Sequence, residues 1–328
     1  MKKLLNLPHA KHESTCYVNG LYDFLTWNGG KYEYFLLPVI GGMAGFAYVK
    51  FKKANPPCMV YWGNRTKDLL NTLCDIIGVK QEISEGRSWE TISRKIRDCI
   101  NSGKPVLAGA LDMYHLHYFE EVYGKIHIPI HHVLIVGYDD EKEVFHIRDC
   151  CFDEVQEVGR DDLKKALDVT VPGFSKRNTI RVFELTGRLP GECELAEKGF
   201  RMKAERMLRP PVGVLGIPAM RKLSKDITAW DNQECFNHMV AYAGMSPPLV
   251  PERMEDCNGL RFEQAGLLQR LGRRYKRDNW VEAGELFMHS GSVIIKLCDS
   301  ALKGDGKKCA EFLAKIADTE ERAYQMLV

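Results

Sequence analysis

The sequence predicts an α+β fold in which an antiparallel sheet with flanking helices is followed by an all-helical part. Three observations predict it. Short β-rich apolar runs stand at 105–112 (PVLAGALD), 131–140 (HHVLIVGYDD) and 144–149 (VFHIRD), the lengths and composition of buried strands. The last two are joined by the short turn DDEKE, which returns the chain antiparallel. From Gly191 onward apolar residues recur at helical spacing instead.

The elements follow in order. Val18, Leu21, Tyr22 and Leu25 have the spacing of a helix that begins at Cys16 and is ended by Asn28-Gly29-Gly30. VIGGMAGFAYVKF, 39–51, reads as a loop turning into an alternating strand. Residues 66–77 and 88–101 read as helices, the second capped by Ser88. After the three apolar strands come EVQEVG as a fourth, the short helix GRDDLKKAL, and RNTIRVFEL as a closing strand. Helices are expected near 192–208, 217–228, 232–243, 260–275, 279–302 and 307–326, separated by loops such as RPPVG, GMSPPLVPE and KGDG. Each amphipathic face needs another to cover it, so a bundle is the natural outcome. The expected domains are 1–188 and 189–328.

With 328 residues, 45% of them hydrophobic, the chain is long enough for two cores. A net charge of +2 gives no global field that would select nucleic acid or an anionic membrane as partner. MKKLLNLPHAKHE meets a proline before it builds a signal-peptide apolar region, and histidines interrupt the longest apolar runs, so a soluble, cytoplasmic protein is expected. The 11 cysteines form no CxxC pair, which argues for reduced thiols and against a disulfide framework.

Cys16 opens a helix, where unpaired N–H groups favour a thiolate and can hold the oxyanion of an attacked carbonyl. A lone cysteine is more often a small buried hydrophobe. What changes the balance is a distant pair. On the strand from 131, alternation puts His131 with Val133 and Ile135, and His132 with Leu134 and Val136. The returning strand ends at Asp149, near the level of His131. A base and its orienting acid on neighbouring strands, with a cysteine on an early helix, is what a cysteine acyl-transfer triad requires.

The order Cys16, then H-x-V-x-x-V-G-Y, then Asp149 resembles the papain-like cysteine peptidase fold. There the catalytic histidine stands six residues before the glycine of the G-Y turn, which implies His131 over His132. A resemblance to the butirosin acyltransferase family extends over nearly the whole chain. It is carried by Cys16, Leu21, Leu25, Gly29, GGMAGFAY, PVLAGALD, HHVLIVGYDD and IRD, and in the helical part by GIPAMRKLSKDI, GLRFEQAGLLQRLG and ADTEERAYQML. Members of that family, like the amide-forming cysteine-protease homologue of closthioamide biosynthesis, take an acyl group from a carrier-protein thioester to an amine. The resemblance therefore implies catalytic Cys16, His131 and Asp149, and no cofactor or metal. It implies as partners an acyl or peptidyl carrier protein bearing a phosphopantetheine thioester and a small amine. One departure concerns the oxyanion donor. The family often has histidine immediately before the cysteine; here Thr15 stands there, with Ala10, His12, Glu13 and Ser14 nearby.

Other features read more plainly. Asp112 with Tyr114, His115 and His117 lines a cleft or holds a metal, although no spacing matches a zinc signature. Cys150 and Cys151 are strand-end neighbours of Asp149. The glycines of GGMAGF let the backbone approach a helix or substrate closely. The basic stretch QRLGRRYKRDNW, with Arg270, Arg273, Arg274, Lys276 and Arg277, is a solvated helix end or a docking face for an acidic carrier. Trp230 and Trp280 are core anchors. Two other readings remain for the whole: a peptidase or amidase with the same triad, and a noncatalytic binding module whose thiol is structural.

Overall fold

A computed structural model describes residues 1–12, 15–63, 66–172, 174–244 and 251–328. The loop expected at GMSPPLVPE lies largely outside the described residues. The chain forms two compact units, one of Met1–Tyr34 with Arg65–Gly191, the other of Phe35–Asn64 with Glu192–Val328. The segment 35–64, which sequence order puts in the first part, thus groups with the C-terminal helices. Among the described residues no helix is long and apolar enough to cross a membrane.

The first unit is α+β, built on an antiparallel seven-stranded sheet. Its strands are β1 (Lys2–Leu4), β4 (Val79–Ser84), β5 (Val106–Leu111), β6 (His131–Asp139), β7 (Val144–Arg148), β8 (Gln156–Gly159) and β9 (Ile180–Leu185), ordered β4-β9-β5-β6-β7-β8 with β1 on β6. Helices α1 (Cys16–Trp27), α3 (Thr66–Ile77), α4 (Trp89–Asn101) and α5 (Arg160–Leu167) accompany it. Trp89, Ile92, Ile96 and Ile100 form the buried stripe of α4 and pack with Val106, Val133, Ile135, Ile147 and Leu163 into one core. Truncating such an isoleucine to alanine costs about 2–5 kcal/mol. Ser88 caps α4 by accepting the Thr91 N–H.

β6 is the central strand, and two glycines let its neighbours close on it. β5 pairs with it over His131–Ile135, and β1 takes over the same edge at Gly137–Asp139. A Cβ at Gly137 would stand 2.5 Å from the Lys3 carbonyl oxygen, so the glycine of the G-Y turn makes room for β1. Gly109 has φ +143° and lies against the His132 ring, where a Cβ would come to 2.6 Å. β1, three residues long, is too short for alternation to mark it, and in β4 only Val79 and Ile83 are apolar.

The second unit contains α2 (Leu36–Gly41), the strand pair β2 (Ala47–Lys50) and β3 (Cys58–Tyr61), and helices α6 (Glu192–Leu208), α7 (Gly216–Asp226), α8 (Gln233–Ala243), α9 (Arg261–Tyr275), α10 (Asp278–Leu302) and α11 (Gly306–Gln325). Where the sequence suggests a loop from 39, a short helix ends instead, turned by Gly42 at φ 117°. Its following carbonyls meet buried cations: Met43 O accepts from Lys203 and Gly45 O from Arg261. Arg261 and Glu320, both fully buried, are joined by two hydrogen bonds of 2.8 and 3.0 Å. Trp280 is buried edge-on against Phe200, and half-buried Trp230 stands edge-on to Phe236.

Candidate active site

The three residues singled out in the sequence meet in the first unit. Cys16 is the first residue of α1, half-buried, where the helix N–H groups have no partner within the helix. His131 opens β6, and its Nε2 lies 2.7 Å from Asp149 Oδ2, just past the end of β7. Cys16 acts on the same imidazole, favouring its charged form. Nε2 is taken by the carboxylate, which leaves Nδ1 as the other ring nitrogen.

Burial sets the electrostatics. It opposes the charged form of His131, but the charge and hydrogen bond of Asp149, with the influence of Cys16, outweigh it and hold the imidazole well above the ordinary histidine range. Burial likewise opposes the Asp149 carboxylate, yet His131, the Cys151 N–H and Tyr118 keep it below its ordinary value. The arrangement favours imidazolium and carboxylate side by side.

Several supports lie outside the sequence reading. The Tyr118 hydroxyl donates to Asp149 Oδ2 at 2.8 Å, and the Cys151 N–H to Oδ1 at 3.1 Å. Phe119 stands edge-on to His131, ring centroids 5.4 Å apart. His9 joins α1 to the turn after β7: Nδ1 is 2.6 Å from Asp23 Oδ2 on α1, and Nε2 donates to the Phe152 carbonyl at 3.0 Å. The helix that carries the thiol is thus fastened to the turn that carries the acid. His9 is 140 positions from Asp149 and no local pattern marks it.

The remaining candidates separate. His132 is buried beside Gly109 with Nδ1 lacking a hydrogen-bond partner among the described residues; burial and neighbouring His131 drive it down to about 3. The His12 ring stacks on Tyr34 at 3.4 Å, and Ala10 O accepts from Asn19 Nδ2 at 2.9 Å. Glu13 and Ser14 lie outside the described residues. Asp112 accepts from His127 Nδ1 at 2.6 Å and from the N–H groups of Tyr114 and Ile128, which shapes the loop between β5 and β6. In the basic stretch, Arg274 pairs with Glu192 at 2.6 Å and Arg277 with Glu197 at 3.3 Å, so part of its charge is neutralised by α6.

Two families match the chain in tandem. Residues 15–150, which hold Cys16, His131 and Asp149, match the family described as butirosin biosynthesis protein H, N-terminal. Residues 161–327, half of the chain, match the one described as a domain of unknown function (DUF4872). The chain belongs to this DUF4872 family. The butirosin-type match supports the resemblance read from Cys16, HHVLIVGYDD and IRD. No curated protein matches the chain.

Proposed function

We propose that this protein is a cysteine-dependent acyltransferase that takes an acyl group from a carrier-protein thioester and delivers it to an amine in natural-product biosynthesis. The observation that carries the reading is the buried His131–Asp149 pair, with the half-buried thiol of Cys16 at a helix start acting on the same imidazole. The match of residues 15–150 to a biosynthesis-protein family supports the biosynthetic setting.

In the first half-reaction the Cys16 thiolate attacks the thioester carbonyl. A carbon–sulfur bond to Cys16 forms, the bond to the pantetheine sulfur breaks, and the leaving thiolate takes the His131 proton. One thioester replaces another, so this step is nearly balanced. In the second, a neutral amine attacks the acyl-enzyme, His131 accepts its proton, and the Cys16 thiolate leaves. The amide product makes that step run downhill. Asp149 holds the imidazole in one tautomer throughout. Water competes for the acyl-enzyme, and holding the amine in place supplies the advantage, worth up to roughly 7–11 kcal/mol of barrier.

Intact mass spectrometry tests the reading. After mixing with acyl-pantetheine thioesters, wild type gains one acyl group and Cys16→Ala gains none. Candidate amines then discharge the adduct faster than water does. Equal discharge by water would make the protein a hydrolase. Slow iodoacetamide labelling of Cys16, without a pH transition below that of a free thiol, would make the thiol structural.

A further inference from the structure

The His9 ring meets oxygen on both sides. Its Nδ1 lies 2.6 Å from Asp23 Oδ2, and its Nε2 lies 3.0 Å from the Phe152 carbonyl and 3.2 Å from that of Asp149. The His9 and Asp23 side chains are only 2% and 1% exposed, so solvent does not supply a missing partner. Carbonyl oxygens accept and never donate, and the same holds for an ionised carboxylate. A neutral imidazole has a single N–H and can serve one side alone. Both sides are bonded only if the pair holds a second proton, as imidazolium with carboxylate or as imidazole with carboxylic acid. Either form is net neutral. Loss of that proton leaves a buried negative charge and a ring nitrogen whose lone pair faces an acceptor.

The pair stands where it can set the thiol. Asp23 is on α1, which Cys16 opens, while Asp149 and Phe152 belong to the turn after β7. The chain next to His9 is bonded to the same two elements: Asn19 of α1 donates to Ala10 O at 2.9 Å, and the His12 N–H donates to Cys150 O at 2.8 Å. Residues 9–12 thus form a splint between the helix start that carries the sulfur and the acid that holds His131. The other titratable or charged groups coupled to the pair are Arg148 at the end of β7, His12 and Tyr34. Burial and Arg148 oppose a charge on His9, but Asp23 and the Phe152 carbonyl outweigh them and raise it. Burial raises Asp23 as well, the behaviour of two groups that share one proton.

We propose that the His9–Asp23 pair is a positioning device that holds Cys16 in register with His131 and Asp149 only while it keeps its second proton. The proposal rests on the acyl-transfer reading for the role of Cys16, and it adds an alkaline limit to that reaction. The full chain, labelled at histidine, is titrated by NMR, the His9 signal being the one missing from His9→Gln. His9 should titrate above the ordinary 6.5. Through the same pH range the amide hydrogens of α1 should lose protection from exchange, and acyl-adduct formation on Cys16 should slow. Asp23→Asn is the deciding variant. Its amide can donate to Nδ1 of a neutral ring while the Nε2–H still reaches the carbonyls, so every bond survives without the extra proton. In it His9 should titrate at lower pH, and the alkaline losses of α1 protection and of adduct rate should both vanish. His131 titrates in both proteins, so only the difference between them belongs to His9. His9→Gln bonds one side alone and should slow adduct formation by up to ~10^2-fold, the worth of a displaced reacting group, with circular dichroism confirming that it folds. A wild-type His9 that titrates at or below 6.5 would overturn the shared proton. Alkaline losses unchanged by Asp23→Asn would overturn its hold on Cys16. The NMR titration and hydrogen exchange need no acyl donor, so a chain that never forms an adduct would sink only the transferase reading and leave those two measurements to decide the splint.

Discussion

In the second unit the Arg261 guanidinium spends all five of its N–H groups, on both oxygens of Glu320 and on the carbonyls of Gly45 and Gly259. Ser290 completes the Glu320 carboxylate, and neighbouring Lys203 bonds Met43 O and Gln264. In the first unit, the His131–Asp149 pair is as deeply buried, yet it ends on a thiol that is only half-buried. Closed networks of buried charge hold a backbone in place; this one is left open at a half-buried thiol, the atom the proposed reaction would use. The difference lies in which atom the chain of hydrogen bonds ends on.

The sharpest break between the two is mutational. His131→Ala should slow acyl-adduct formation on Cys16 by ~10^2–10^4-fold, the usual worth of a positioned base, followed by intact mass against time. Arg261→Ala or Glu320→Ala should instead cost about 3–5 kcal/mol of stability by denaturant unfolding, because each strands a buried charge. Replacing both together, Arg261→Met with Glu320→Leu, should cost less than either single change. A rate effect without stability loss in the Arg261 variant would erase the distinction. Tyr118→Phe removes a hydrogen bond to a buried carboxylate and should cost about 1.5–3 kcal/mol, lowering the adduct rate through Asp149 without preventing the adduct.

The remaining effects are those of pH. His132 titrates at about 3 when folded against 6.5 ordinarily, so below 6.5 the unfolded chain binds a proton that the folded chain refuses. Stability should fall by about 1.4 kcal/mol per pH unit through that window, and His132→Gln should remove this slope in pH-dependent melts. His9 and His131 act in the opposite sense. Burial opposes their charge, but Asp23 and Asp149 raise both above the ordinary value. Their contribution is complete below that value and is lost as pH rises through the raised ones.

Much of this was legible in the sequence because it is written in short-range pattern. The helix beginning at Cys16, the strands from Val106, His131 and Val144, and the six C-terminal helices all follow apolar spacing. Cys16, His131 and Asp149 could be singled out because a helix start and two neighbouring strands constrain where three side chains lie. His9 and Tyr118 carry no such mark. Their roles arise from packing across 14 to 140 positions, as the His9 bonds to Asp23 and Asp149 show. Nor does any periodicity assign residues 35–64 to the helical unit; buried Lys203 and Arg261, reaching the carbonyls of Met43 and Gly45, do that.

That assignment has a practical side. The chain leaves the sheet unit at Tyr34, returns at Arg65 and departs again at Gly191, so the two units are interlaced along the polypeptide. A protease nick or stop codon near 191 would not release two clean halves. The N-terminal fragment would keep Phe46, Tyr48 and Trp62 while losing the helices that bury them, a greasy appendage prone to clumping. Separating the units would mean joining 1–34 to 65–191 and 35–64 to the residues from 192 onward.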